Sequence, residues 1–211
     1  MKPEEEVDAI LMASGFSKRF GKANKLLTPF RGKPLARHTL ELVSSLRSFR
    51  RIFFVTAVAA VQDLAQGLPV TVIPNDQPSQ GQRESIRLGV CASQGAYYMF
   101  FPCDQPLLDA DTVRHILDLR RPGCIVQPVC KGIPSTPTLF SALFRDELLS
   151  LAPGEHPRDI KRRHPEAVIT AAFPDRIFLS LQDIDDPHLL KLLEPVCEGR
   201  DLNPYAKSTR F

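Results

Sequence analysis

Apolar and polar positions along this chain follow two alternating periods. Short apolar runs rich in β-branched and aromatic residues recur at 7–12, 51–56 (RIFFVT), 70–73, 97–101, 124–129 and 167–173, and each predicts a buried strand. Between them the apolar positions space out to a helical period. Pro34 fits the first turn of a helix reaching about residue 49, with Leu35, Leu40, Val43 and Leu46 on one face. A short helix is expected over 61–65. Gly81 opens another through about residue 92, with Ile86 and Val90 four apart. Asp109 can cap a helix carrying Val113, Ile116 and Leu117. Residues 139–151, 157–164 and 188–197 also read as helices. Strands alternating with helices at this spacing predict an α/β fold with a doubly wound, mainly parallel sheet. In such sheets ligands bind beyond the carboxyl ends of the strands. No internal repeat or linker divides residues 1–198, which are expected to form one domain. The polar, aperiodic stretch 199–211 is expected to be a mobile or late-docking tail.

Composition narrows the function classes. The chain has 211 residues, 43% of them apolar, enough for one sizeable core. A formal charge of +3 and the lack of a long basic run give no reason to expect a nucleic-acid partner. The densest cationic run, Lys161-Arg162-Arg163-His164, reads as a solvated helix face that could also help to bind an anion. No run is apolar for long enough to span a membrane. The acidic opening MKPEEEVD lacks the order of a signal peptide, and five cysteines without a CxxC spacing suit reduced thiols, so a cytoplasmic setting is expected.

The most specific chemistry follows the first strand. The apolar run turns at Gly15 and leads into a polar loop holding Arg19 and Lys25. A glycine turn lets backbone N–H groups approach an anion and the two cations supply charge, so the loop can cradle phosphates. The same residues also fit a surface loop with solvated cations. Neither a Walker loop nor the dinucleotide fingerprint has this spacing. Asp104 stands just past the strand at 97–101, where it could ligate Mg2+ together with phosphate oxygens, or form a turn before Gln105-Pro106. Cys103 beside it reads as a packed thiol. Asp183-Ile184-Asp185-Asp186-Pro187 gathers three carboxylates that need solvent or a cation, and Asp186-Pro187 can also start a helix. The helix opened by Gly81 could offer its N-terminal N–H groups, with Ser85 and the nearby Asn75, to a nucleotide.

The segment LMASGFSKRFGKANKLL resembles the signature loop of the MobA-like nucleotidyltransferases, matching at Leu11, Gly15, Ser17, Arg19, Gly21, Lys25, Leu26 and Leu27. Phe20 stands where Met is common, Ser14 replaces a smaller residue, and one extra residue precedes Lys25. Cys103-Asp104-Gln105-Pro106 resembles the family's metal motif, in the form found in the molybdenum cofactor cytidylyltransferases. Gly81 to Gly89 is similar to its G-x-x-x-S-L-x-x-G segment, and Asp183-Ile184-Asp185 to its D-I-D element.

The resemblance implies a Rossmann-like nucleotidyltransferase fold of the nucleotide-diphospho-sugar transferase type. It implies a nucleotide site formed by Ala13, Ser14, Gly15, Ser17, Asn75, Gly81 and Ser85. Arg19, Lys25 and Asp104 would be the catalytic residues, and Asp104 and Asp185 would ligate Mg2+. The implied substrates are CTP, or another NTP, and molybdopterin or its molybdenum form, with a molybdenum hydroxylase as a possible recipient of the product. The second half departs from the pattern. Ile133-Pro134-Ser135-Thr136-Pro137 lacks the histidine of the family's Gly-His-Pro element, and Gly154-Glu155-His156-Pro157-Arg158 replaces a Gly-Asp-x-Gly-x-Arg segment. Lys131, His156 and Arg158 are the expected substitutes on the acceptor side. Two alternatives stay open: another phosphorylated acceptor, such as a sugar or isoprenoid precursor, and a non-catalytic protein that carries the cofactor.

Overall fold

The computed structural model describes residues 6–14 and 24–193. In chain order the elements are β1 (Val7–Met12), β2 (Pro29–Phe30), β3 (Lys33–Pro34), α1 (Leu35–Ser45), β4 (Phe49–Thr56), α2 (Ala59–Gln62), β5 (Thr71–Pro74), α3 (Gln82–Ala92), β6 (Tyr97–Pro102), α4 (Ala110–Asp118), β7 (Ile125–Cys130), β8 (Ile133–Pro134), β9 (Thr138–Ser141), α5 (Arg145–Leu149), α6 (Pro157–Arg163), β10 (Val168–Phe173) and α7 (Pro187–Leu193). The main sheet has eight strands in the order β10-β7-β9-β6-β1-β4-β5, with β8 hairpinned onto β7. β1 runs parallel to β4 and β6, β4 to β5, and β7 to β10. β9 opposes both β6 and β7, so those two strands point the same way. The carboxyl ends of β1, β4, β5, β6, β7 and β10 therefore share one edge, where a doubly wound sheet receives ligands.

Each strand serves two cores because its side chains alternate. On β1, Val7, Ala9 and Leu11 join one cluster with Ala36, Leu40 and Val43 of α1 and Val113, Ile116 and Leu117 of α4. Ile10 faces the other cluster, with Ile86 and Val90 of α3, Leu148 of α5 and Ile160 of α6. Gly89 sets the closeness of α3 to β1: a Cβ there would fall 2.4 Å from Ile10 Cγ2.

Two expected elements have different boundaries. The helix expected from Pro34 to about residue 49 stops at Ser45, and Phe49 begins β4, where its ring meets Phe101 edge-on at 5.7 Å. The helix expected over 139–151 is two structures. Its first part is β9, buried at all four positions, with Leu139 in one core and Phe140 in the other. Only Arg145–Leu149 is α-helical. A residue pair that must fill both faces of a central sheet position is set as strand by packing, whatever its spacing suggests. The part of the last expected helix after residue 193, and the tail 199–211, lie outside the described residues.

At the amino edge of the sheet, Asp8 is completely buried on β1. Arg50 donates to it twice, at 3.0 and 2.6 Å. Ser93 Oγ and the N–H groups of Gln94 and Gly95 donate to Oδ2 at 2.6, 2.9 and 2.8 Å. Burial by itself would raise the Asp8 pKa, but Arg50, then Ser93 and the two amides, hold it below the ordinary value. Asp8→Ala is expected to destabilise the protein by about 3–5 kcal/mol in denaturant unfolding, since it removes the carboxylate shared by Ser93, the Gln94 and Gly95 N–H groups and Arg50, which is left with Glu6 at 3.4 Å. The folded pKa lies below 3.8. The Asp8 contribution is thus complete above that pH and is lost as pH falls through the folded value, so wild type and variant should converge in acid.

Candidate active site

At the opposite edge, three segments distant in sequence meet on one cation. Asn24 caps a 3-10 turn over Lys25–Leu27, its side chain accepting from Leu26 N–H at 2.9 Å. Leu26 is buried in the core on this side of the sheet. Lys25 reaches across to the residue that follows β6: its Nζ lies 2.6 Å from Asp104 Oδ2 and 2.8 Å from Asp185 Oδ1. The Lys25 side chain is 12% exposed, Asp104 16% and Asp185 55%, so the cluster is walled by protein on one side and open on the other. Burial alone would lower the Lys25 pKa; Asp104, then Asp185, more than reverse this, and the ammonium stays charged throughout the neutral range.

The Asp-Ile-Asp element works by its period of two. Ile184 is buried against Phe30, Leu35, Leu190 and Leu193. Its N–H donates to the Asp104 carbonyl at 2.9 Å, and the flanking Asp183 and Asp185 turn back toward Lys25 and Asp104. Asp186 caps α7 by accepting from His188 N–H at 2.8 Å, as its pairing with Pro187 suggested.

Sequence reasoning missed Gln105 and Asp183 as parts of the site. Gln105 is buried, and its Nε2 faces Thr136 Oγ1 at 2.7 Å, Asp183 Oδ1 at 2.9 Å and the Leu181 carbonyl at 3.0 Å. Three oxygens share two N–H groups. Asp183 is open to water over part of its surface, but desolvation of its carboxyl, followed by the charge of Asp104, raises its pKa. The signal for Gln105 was present in the Asp-Gln-Pro motif. Nothing local separated Asp183 from Asp185. Cys103 is buried and burial pushes its thiol well above the ordinary value, as a packed thiol requires.

The other candidates fall along the same edge. Ala13 spends both backbone groups inside the fold, its N–H on Val55 O at 2.8 Å and its carbonyl on Thr56 Oγ1 at 3.1 Å. Ser14 Oγ reaches Val55 O at 3.4 Å. Asn75 and Ser85 are both buried and joined, Nδ2 to Oγ, at 3.3 Å. Gly81 stands at the N-cap of α3 with φ 73°, a conformation that favours glycine. Gly15, Ser17 and Arg19 lie outside the described residues. On the acceptor side, Lys131 Nζ sits 4.8 Å over the Phe178 ring, His156 N–H donates to Asp159 at 2.7 Å to start α6, and Arg158 is exposed.

The charge set fits a divalent cation. Asp104 Oδ1 is buried and, among the described residues, has no hydrogen-bond partner, which leaves a carboxylate oxygen available as a ligand. The described residues form no ready-made cage of three or more metal-binding side chains, and Lys25 occupies the space between the two carboxylates.

Residues 9–168 match the MobA-like NTP transferase domain; the match ends before Asp183 and Asp185. The chain is 30% identical over 138 residues to a molybdenum cofactor cytidylyltransferase of Escherichia coli, covering 64% of this chain and 70% of that protein. It is 24% identical over 203 residues to a molybdenum cofactor guanylyltransferase of Ralstonia pickettii, covering 90% and 98%. Among solved structures, a nucleotidyl transferase from Methanothermobacter thermautotroptrophicus superposes with a TM-score of 0.76 at 19% identity over 90% of this chain and 97% of the other.

Gln105→Ala should cost about 1–3 kcal/mol in urea unfolding, because it removes a buried amide that joins Thr136, Leu181 O and Asp183. An unchanged midpoint would show that Gln105 does not tie the 181–183 segment to Asp104.

Proposed function

The chain belongs to the MobA-like NTP transferase family, and on that premise we propose that it transfers CMP from CTP to the phosphate of molybdopterin or its molybdenum form, releasing pyrophosphate. The observation that carries the reading is the Lys25 ammonium gathered between Asp104 and Asp185 at the carboxyl edge of the parallel strands. The Asp104-Gln105-Pro106 sequence and the likeness to a cytidylyltransferase favour CTP, and both relatives described above are named for the molybdenum cofactor.

In this mechanism an acceptor phosphate oxygen attacks the α-phosphorus in line, the bond to the β-phosphate oxygen breaks, and pyrophosphate leaves. No general base is needed, because a phosphate monoester is already ionised near neutral pH. The chain's work is positioning and electrostatics. Asp104 and Asp185 would hold Mg2+, with the inner Asp104 oxygen as one ligand. When bound, the cation neutralises phosphate charge and polarises the phosphoryl group. With a cation on the carboxylates, Lys25 would be free to carry its charge to the triphosphate, where it would oppose charge growing on the α-phosphate and the leaving group. Arg19 would add a second positive group. Asn75 and Ser85 fix each other near the start of α3, whose N-terminus would face the nucleotide.

The test is pyrophosphate release from each NTP with Mg2+ and a panel of acceptors. CTP with molybdopterin is expected to give turnover. Faster turnover with GTP would move the protein to guanylyl transfer, and turnover with a sugar or isoprenoid phosphate would replace the acceptor. The altered 133–137 segment favours a second reading, a carrier that binds the cofactor without reacting; binding of molybdopterin with no pyrophosphate from any NTP and acceptor would support it.

Lys25→Met should lower kcat by a factor corresponding to about 2–4 kcal/mol, and its metal-free melting temperature should fall because Asp104 and Asp185 lose the cation between them. Without nucleotide, the same variant should bind Mn2+ about tenfold more tightly than wild type, roughly 1.4 kcal/mol, because the resident cation is gone. Equal Mn2+ affinities in calorimetry would remove Lys25 from competition with the metal.

A further inference from the structure

The cationic run at the end of α6 is not uniformly solvated. Arg162 pairs with Asp159, Arg163 with Glu147 and Glu155 at 3.1 Å each, and His164 Nε2 lies 2.7 Å from Glu147. Lys161 turns the other way. It is half-buried, and its ammonium donates to Gln127 Oε1 on β7. Among the described residues no carboxylate lies within ion-pair distance of it, so a neutral amide oxygen is what the cation has. Burial, with nothing to offset it, brings its pKa down to about 8, the reverse of Lys25. A desolvated ammonium with one neutral partner and two N–H groups to spare costs stability. An anionic ligand would supply the missing charge.

The amide is fixed to serve this cation. Gln127 is buried, and its Nε2 donates to Pro128 O at 3.1 Å and to Ser135 O, so Oε1 is held toward Lys161. Ser135 lies in the segment that lacks the expected histidine. Ser135 Oγ donates to Leu181 O at 2.5 Å, and its neighbour Thr136 accepts from Gln105, the residue after Asp104. Segment 133–137 is thus held by Gln127 from one side and by Gln105 from the other. An acceptor lying along it would run from Lys161 toward the Lys25 cluster.

We propose that Lys161, oriented by Gln127, is an anion subsite for the acceptor, receiving a second negatively charged group apart from the phosphate that attacks. The proposal rests on the nucleotidyl-transfer reading and names the residue that grips the acceptor. Lys161 lies in the run that the sequence read as a solvated face able to help bind an anion, beside the expected Lys131, His156 and Arg158.

The test uses the full chain as wild type, Lys161→Met and Lys161→Arg. Steady-state kinetics with molybdopterin at saturating CTP and Mg2+ are combined with calorimetric CTP affinity and melting temperature. In Lys161→Met the acceptor KM should rise by about tenfold or more, as expected for a lost charge-assisted contact, with CTP affinity unchanged. Its melting temperature should equal or exceed that of wild type, because an uncompensated cation has gone. Lys161→Arg should keep most of the acceptor affinity. An acceptor KM within about twofold of wild type in Lys161→Met overturns the proposal, whether or not stability falls. A second measurement does not need turnover or a folded variant. Reductive methylation of Lys161 in the wild type, followed by mass spectrometry, should slow when molybdopterin is present; an unchanged rate overturns the subsite. If wild type releases no pyrophosphate yet molybdopterin still protects Lys161, the transfer reading fails while the subsite stands.

Discussion

One ammonium holds this site together. Asp104, Asp183 and Asp185 converge beyond the carboxyl end of β6, and carboxylates crowded in this way repel unless a cation joins them. Lys25 is that cation in the structure. It links the 3-10 turn at Lys25 to the segment after β6 and to the segment before α7, and the two acids raise its pKa despite burial. The neighbouring contacts follow from this arrangement. The Ile184 N–H on the Asp104 carbonyl and the Gln105 amide on Asp183 keep the carboxylates at the distances that the ammonium bridges.

Two lysines of this fold are treated in opposite ways. Lys25 has two acids and a stabilised charge. Lys161 has an amide and a charge that burial disfavours. The first is a site in balance before any ligand arrives; the second is out of balance. Lysine is suited to both roles because its ammonium is a point charge whose pKa moves readily with its surroundings.

The legible parts of the sequence were those with local causes. β1, β6 and the Asp109-capped α4 were readable because a short apolar run or a capping side chain suffices to set them; Asp109 accepts from Thr112 N–H at 2.7 Å as its position suggested. Asp104 and Lys25 each also fitted a turn or solvated loop, and it was the motif resemblance that singled them out; the structure brings them to 2.6 Å. β9 was not legible. Leu139 and Phe140 look like part of a helical stripe until the sheet demands one for each face. Lys161 was hidden for a similar reason. Which member of a cationic run turns inward depends on Gln127, more than thirty residues earlier.

The separation of Lys25 from Asp185, 160 residues, has a consequence for the order in which the protein is made. The first member of the cluster leaves the ribosome early, the second about midway and the last only when nearly all the described chain has been synthesised. A nascent chain that has reached β9 can assemble most of the sheet, since β9 joins β7 to β6, yet it lacks the acid that completes the cluster. The segment carrying that acid docks through Ile184 directly on Asp104. A product cut short before this segment would keep most of the sheet and leave Lys25 with one of its two acids.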